Sequence, residues 1–359
     1  MSEQESPVDA GPIQDQESIQ RKSIRRGVSL DEIKLKTEND PLSLSEAQKN
    51  RFAEAALDST FDLTNMLVVR NKALEDLRSD FDDLCLLNKQ PTVFQRLKHF
   101  RVLKAAPEDF WERVFEIKSL GLVLAGIRWV GGNPSKPFVS VWPDFPVASY
   151  HELRQLVQIA EHRFAVFAPG AVSLWLRPDS PLAADLGQKN PPNRRYIVGR
   201  IERIKLQNQP DHYDAVDLIK PDRDEYFDWY VDLYKEFHAV RPDLKDWVTV
   251  SDKRHLEDCR KAGLLFFVRV DGYQAGLIAG HPWPLLGQAG LYFSELMLKA
   301  DFRGKGLAPA IQRKFIDNLS EGYEVVWGTI DAQNITSTKT ALRVGRHSIR
   351  EEFFIKIGA

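Results

Sequence analysis

The sequence predicts an α/β chain with a mixed central sheet flanked by helices in its C-terminal half. A second mixed α/β domain precedes that half, and a helical arm precedes both. Three observations carry this expectation. Leu291–Leu319 reads as a strand, a glycine-bearing turn and a helix in direct succession. A strand at Tyr323–Asp331, a helix opened by Asn334 and a last strand at Ser348–Ile357 follow it. Upstream, apolar runs of strand length alternate with helical patterns between residues 96 and 205.

With 359 residues, 43% of them hydrophobic, the chain has material for two or three cores. A net charge of −2 argues against a general nucleic-acid coat or an anionic-membrane binder. Cys85 and Cys259 are far apart and form no disulfide framework, which fits a reducing compartment. No apolar run has transmembrane length and the N-terminus is no signal peptide, so a cytoplasmic protein is expected.

In chain order, residues 1–42 are polar and read as a disordered tail, with a basic run at Arg25–Ser29 that is either a phosphorylation site or simply solvated. Residues 43–92 read as a helical arm that packs on the rest or mediates self-association. Ser43 or Ser45 caps its first helix, and a second spans Leu67–Leu87. Residues 93–209 read as the first α/β domain. Its expected elements are strands at Phe100–Leu103, Gly121–Val130 and Pro137–Val141, and helices at Pro107–Ile117 and Tyr150–His162. A strand at Phe164–Leu176, broken at Pro169-Gly170, precedes a polar connection at Pro178–Asn193.

Residues 210–359 form the second α/β domain. Ala215–Ile219 is its first strand and Asp222–Val240 an aromatic amphipathic helix. Ser251 caps a helix over Asp252–Ala262, ended by Gly263. Leu264–Val270 and Tyr273–Ala279 pair across Asp271-Gly272, a hairpin turn signal, and His281–Gly287 makes a broad turn. Val102–Ile117 faintly echoes Ala215–Leu233, as if the first half repeated the second.

The turn at Arg303-Gly304-Lys305-Gly306-Leu307-Ala308 carries the chemistry. Its glycines let the backbone bend and approach a ligand, and the free N–H groups of the following helix make an anion site suited to a pyrophosphate. Arg303 and Lys305 add positive charge. The run Arg303-x-x-Gly306-x-Ala308 after an apolar strand resembles the acyl-CoA motif of the GNAT superfamily of N-acyltransferases, and the strand–helix–strand order behind it matches the second half of that fold. The resemblance covers roughly the last 150 residues. The first half has no such turn, and is either a degenerate GNAT-like copy or an unrelated α/β domain.

The resemblance implies an N-acetyltransferase that takes acetyl-CoA, or another acyl-CoA, and passes the acyl group to a primary amine by direct attack in a ternary complex. The backbone of Leu296, Met297 and Leu298 would meet the pantetheine arm, and Asn334 would contact it or simply cap its helix. A tyrosine expected seven residues after the Asn is here Ala341, which leaves Ser337, water or no side chain at all to return a proton to the thiolate.

Glu295 interrupts an apolar strand, so partial burial suits it to act as base; its other reading is a structural or substrate-positioning carboxylate. His281, Trp283, His238 and Arg241 (the last two near Asp243 and Asp246) are candidates for the acceptor wall or for ordinary surface roles. No Cys/His set has metal-ligand spacing, and neither a metal nor nucleic acid is expected. The acceptor is expected to be a small amine first, or a protein amine, with self-association through the N-terminal helices. The alternative is an acyl-CoA-binding sensor that engages a protein partner.

Overall fold

The computed structural model describes residues 33–35, 43–245 and 248–358. Strand β1 (Ile33–Leu35) is followed by helices α1 (Glu46–Asp58), α2 (Arg70–Leu86) and α3 (Gln90–Phe100). Strands β2 (Arg113–Ile117), β3 (Gly121–Trp129) and β4 (Pro137–Pro143) lead to α4 (Tyr150–Arg163), β5 (Ala171–Leu176), α5 (Pro181–Lys189) and β6 (Arg194–Arg200). A short helix α6 (Ile201–Lys205) joins this half to β7 (Val216–Ile219), α7 (Tyr226–Val240) and α8 (Lys253–Lys261). The chain ends with β8 (Leu265–Val270), β9 (Tyr273–Pro282), β10 (Gly290–Leu298), α9 (Leu307–Asp317), β11 (Val325–Asp331), α10 (Ile335–Arg343) and β12 (His347–Lys356).

The twelve strands among the described residues share one sheet, in the order β1-β2-β3-β4-β5-β12-β6-β11-β10-β9-β8-β7. The order reads alike from either edge. Each half runs strand, helices, three antiparallel strands, helix, parallel strand, helix, last strand. β4 pairs with β5 in parallel as β10 pairs with β11. The last strands are exchanged: β6 lies between β11 and β12, and β12 lies between β6 and β5. Residues 93–209 and 210–359 therefore share backbone ladders rather than closing separate sheets.

This topology revises several sequence expectations. Of the segment 1–42, the described residues Ile33–Leu35 pair with β2, and Ile33 is buried; the basic run at Arg25–Ser29 lies outside the described residues. The helices of 43–92 are not a separate arm. They lie between β1 and β2 in the chain, as α7 and α8 lie between β7 and β8, and Phe52, Leu57, Leu77 and Phe81 bury their inner face against the sheet. The echo at Val102–Ile117 is no strand–helix unit, because the counterparts of β7 and α7 are β1 and α1. Phe100–Leu103 is the end of α3 and its exit, where Arg101 takes a left-handed cap at φ 48°. Pro107–Phe110 is one 3₁₀ turn, and the expected helix gives way to β2, which buries Val114 on one face and Phe115 on the other. The polar connection Pro178–Asn193 contains α5, capped by Ser180 with Pro181 at its first position, where a missing N–H costs nothing.

Both faces of the sheet are covered. In the first half, α4 packs Leu153, Leu156 and Ile159 on one face while α1 and α2 cover the other. The α1–α2 layer reaches the sheet centre at Val198, Trp327 and Ile349. In the second half, α9 buries Ala310, Ile311 and Phe315 on one face, and α7 and α8 bury Tyr230, Leu233 and Leu256 on the other. The β8–β9 turn is set by Asp271 and Gly272, at φ 50° and 81°, the primed geometry that matches strand twist.

Candidate active site

The site is built on β10. Antiparallel pairing to β9 runs along it from Leu291 to Leu298. On its other side it pairs with β11 only through Gly290–Tyr292. Beyond Tyr292 the two parallel strands diverge, and β11 turns its opposite edge to β6 over its full length. The β11-facing edge of residues 293–298 thus has no strand partner among the described residues. Such an edge presents N–H and C=O groups at a regular spacing that an extended chain can use.

The register of β10 against β9 shifts between Phe293 and Glu295. Leu291 and Phe293 face the α9 side, but so do Leu296 and Leu298, so the bulge moves the alternation by one residue. Both Ser294 and Glu295 then point to the α7–α8 side. Tyr230 and Tyr234, one helical turn apart on α7, donate their hydroxyls to Glu295 Oε2, Tyr234 at 2.9 Å. Ser251 Oγ donates to the same oxygen at 3.4 Å, and its backbone N–H donates to the Tyr230 hydroxyl at 2.8 Å. Burial raises the Glu295 carboxyl above its ordinary range, against the downward pull of the tyrosine hydroxyls. Burial and the facing carboxylate push both tyrosine hydroxyls up, so they remain donors. The expected cap role of Ser251 passes to Asp252, whose carboxylate accepts from the Arg254 and His255 N–H groups.

At the far end of β10 the chain turns through Gly304 and Gly306, at φ 74° and 75°. Those angles, not packing, demand glycine, since an added Cβ would meet no protein atom within 4 Å. Gly306 is the N-cap of α9 and brings no side-chain acceptor, so the N–H groups of Leu307, Ala308 and the turn lack a side-chain cap. The corresponding α4 is closed by its own residues. Ser149 caps it, and Glu152 accepts from the Ala148 and Ser149 N–H groups at 2.6 and 2.8 Å. One helix end is filled by an acid, and the other offers its donors and dipole to an anion.

Not every predicted site residue lies where its role requires. The guanidinium of Arg303 turns back to β10, donating to Leu298 O at 2.7 Å, and its charge sits over the Phe237 ring. It braces the strand end rather than the α9 turn. Lys305 is exposed on the turn. Asn334 caps α10, accepting from the Ser337 N–H at 3.1 Å, and Ala341 is fully buried. His238 holds Val248 O at 2.7 Å and ties α7 to the segment before α8. Arg241 forms an exposed bidentate pair with Asp243, and Asp246 lies outside the described residues. Arg241 does not join the Glu295 cluster, and His238 meets it only through its ring, edge-on to Tyr234 with centroids 5.6 Å apart.

His281 does come close to it. It lies on β9 rather than in a turn, with Nδ1 2.8 Å from Ser294 Oγ. Burial and neighbouring His255 lower its pKa to about 4, so it is neutral near pH 7. Trp283, half-exposed, packs beside His281 and Tyr292. Sequence reading missed Tyr230, Tyr234 and the proximity of His255 and Cys259 to His281. The only local signals were two i,i+4 pairs, Tyr230/Tyr234 and His255/Cys259, each on a single helix face.

No protein-family model and no curated relative matches the sequence. Solved structures do. A GCN5-related N-acetyltransferase from Sphaerobacter thermophilus superposes with a TM-score of 0.51 at 14% identity, covering 92% of this chain and 98% of its own. A GNAT-family acetyltransferase from Colwellia psychrerythraea covers 75% of this chain and 98% of its own, at 11% identity and a TM-score of 0.42. The first likeness spans nearly the whole chain, both halves of the sheet included, and on that ground the chain has the fold of the GNAT superfamily.

Proposed function

We propose that this protein is an acyl-CoA-dependent N-acyltransferase, with acetyl-CoA as the donor to test first and a primary amine as acceptor. The observation that carries the reading is that one strand bears all the required parts. Beyond Tyr292, β10 has an edge with no strand partner among the described residues, carries the buried Glu295, and runs through a glycine turn into a helix end without a side-chain cap.

These residues fit the donor. The N–H groups from Gly304 to Ala308 suit its pyrophosphate, and the open edge along Leu296–Leu298, which presents Leu296 O and the Leu298 N–H, suits its amide-bearing arm. When bound, the donor supplies an acyl carbon activated as a thioester. The protein's own tasks are to deprotonate the amine and to stabilise charge on the thioester oxygen. Glu295 is the proton acceptor, with its pKa raised toward the range a base needs. Ser251 is partly buried while Tyr230 and Tyr234 are fully buried, so a proton reaches Oε2 through the Ser251 hydroxyl. The Leu298 N–H is the donor to the developing oxyanion, since the Leu296 N–H is held by the Glu295 carboxylate and the Met297 N–H faces β9; Ser337 is the hydroxyl proposed to return a proton to the thiolate. His281 and Trp283 line the acceptor side, where a small amine is preferred to a protein amine. Arg303 takes part only by bracing the strand.

One observation favours a second reading, an acyl-CoA sensor that binds without turnover. Glu295 Oε2 already accepts from three hydroxyls, as a structural carboxylate would. Free-thiol release from acetyl-CoA against a panel of amines, amino acids and peptides separates the two. Release that depends on one acceptor class supports the enzyme, with Glu295→Gln lowering turnover far more than donor affinity. Binding with no release on any acceptor supports the sensor.

A further inference from the structure

We propose that His255, Cys259 and His281 form a binding site for a single zinc-type divalent cation. Each offers one ligand atom, and the three atoms lie within 4.8 Å of one another. They come from two elements. His255 and Cys259, one turn apart on α8, share a face, with Nε2 and Sγ 3.8 Å apart. His281 reaches them from β9, its ring perpendicular to that of His255 with centroids 4.7 Å apart.

The donor set selects the ion. Two imidazoles and a thiolate suit zinc, or cobalt as its probe, and reject magnesium and calcium, which take oxygen. A tetrahedral ion with ligand bonds of about 2.0–2.3 Å holds its donors about 3.5 Å apart, so the set closes by about 1 Å on loading. Three protein ligands leave a fourth position for water. Ser294 supplies the outer support. Its Oγ engages His281 Nδ1 at 2.8 Å and lies 3.9 Å from Cys259 Sγ. A bond of that kind orients a ligating ring and leaves the other nitrogen for the metal. Ser294 faces this cluster because of the bulge that also turns Glu295 inward.

The site is built rather than superficial. Cys259 is fully buried, and the chain's one other cysteine, Cys85, lies on α2 outside the cluster. An ion here would tie α8 to β9 and hold the α7–α8 layer over β10. The inference rests on the ligand geometry alone and stands whether or not the chain transfers acyl groups.

The test is titration of the full chain, stripped of metal by a chelator, with cobalt(II). The expected result is one cobalt per chain with a thiolate-to-cobalt charge-transfer band, removed by one equivalent of zinc. The band persists in Cys85→Ser and disappears in Cys259→Ser. Ser294→Ala keeps the band and weakens zinc binding by about 10- to 100-fold. Absence of a thiolate band in the unmodified protein overturns the proposal irrespective of how any variant folds, and so does a band that follows Cys85.

Discussion

Tyr234 and Glu295 lie 61 residues apart in the chain, yet the phenol hydroxyl donates to the carboxylate at 2.9 Å in the interior between α7 and β10. The contact makes Glu295 a stability determinant as well as a candidate base. Its folded pKa lies above the ordinary carboxylate value because burial disfavours the charged form. The native state therefore binds this proton more tightly than the unfolded chain. The Glu295 contribution falls as pH rises from the ordinary carboxylate pKa to the raised one, and is constant above it. Denaturant titrations across that window should show the slope in the unmodified protein and its loss in Glu295→Gln. Glu295→Ala should destabilise by about 2–5 kcal/mol at neutral pH, because two buried hydroxyls lose their acceptor. A Glu295→Gln protein with an unaltered pH slope contradicts the raised pKa.

Arg350 on β12 reaches across to α1. Its guanidinium donates to Thr60 Oγ1 at 2.6 Å and to Ala56 O at 2.7 Å, deep in the layer and at the helix C-terminus. Arg350→Met should cost about 1–3 kcal/mol by removing two charge-assisted hydrogen bonds to buried acceptors, while Ala56 O still accepts from the Ser59 and Thr60 hydroxyls. Limited proteolysis should then cut within residues 59–69 faster than in the unmodified protein. Unchanged cleavage there means that the α1–α2 layer is held by apolar packing alone.

The exchanged strands couple the halves. A fragment of residues 210–359 lacks β6, which leaves open edges on both β11 and β12. Expressed alone it should aggregate or remain unfolded, and co-expression with residues 1–209 should restore a soluble complex. A monomeric, cooperatively folding fragment would show that the exchange is dispensable.

At Gly306 the positive φ sets the cost of substitution. Gly306→Ala should lower stability by about 1–2 kcal/mol, and Gly304→Ala by a similar amount, with the fold kept. Thermal melts followed by far-UV dichroism check both. No loss at either site would mean that the turn relaxes to another conformation.

How much of this was legible in the sequence depends on how local the signal is. The β10–α9 segment was readable because its apolar run, two glycines and 3.6-residue stripe of Ile311, Phe315 and Leu319 lie in one stretch. The Asp271-Gly272 hairpin was readable for the same reason. β2 was not, since both of its faces are buried and Pro107 with two acids imitates a helix start. β6 was missed because its sequence, RRYIVGR, shows no alternation; it becomes a strand by filling the gap between β11 and β12. Glu295 stood out as a lone acid in an apolar strand, but nothing local could show that Tyr230, Tyr234 and Ser251 meet it. Arg303 was misread because composition shows its charge and only the fold shows that Leu298 O and Phe237 take it.

In the proposed function the α9 turn and the open edge of β10 hold an acyl-CoA. The most direct measurement is calorimetric titration of acetyl-CoA into the unmodified protein and into Gly306→Trp, with dichroism to confirm that both are folded. Saturable binding of one equivalent to the first and none to the second is expected, because the indole fills the turn. Equal binding to both, or no binding of acetyl-CoA and longer acyl-CoAs to the unmodified protein, contradicts it.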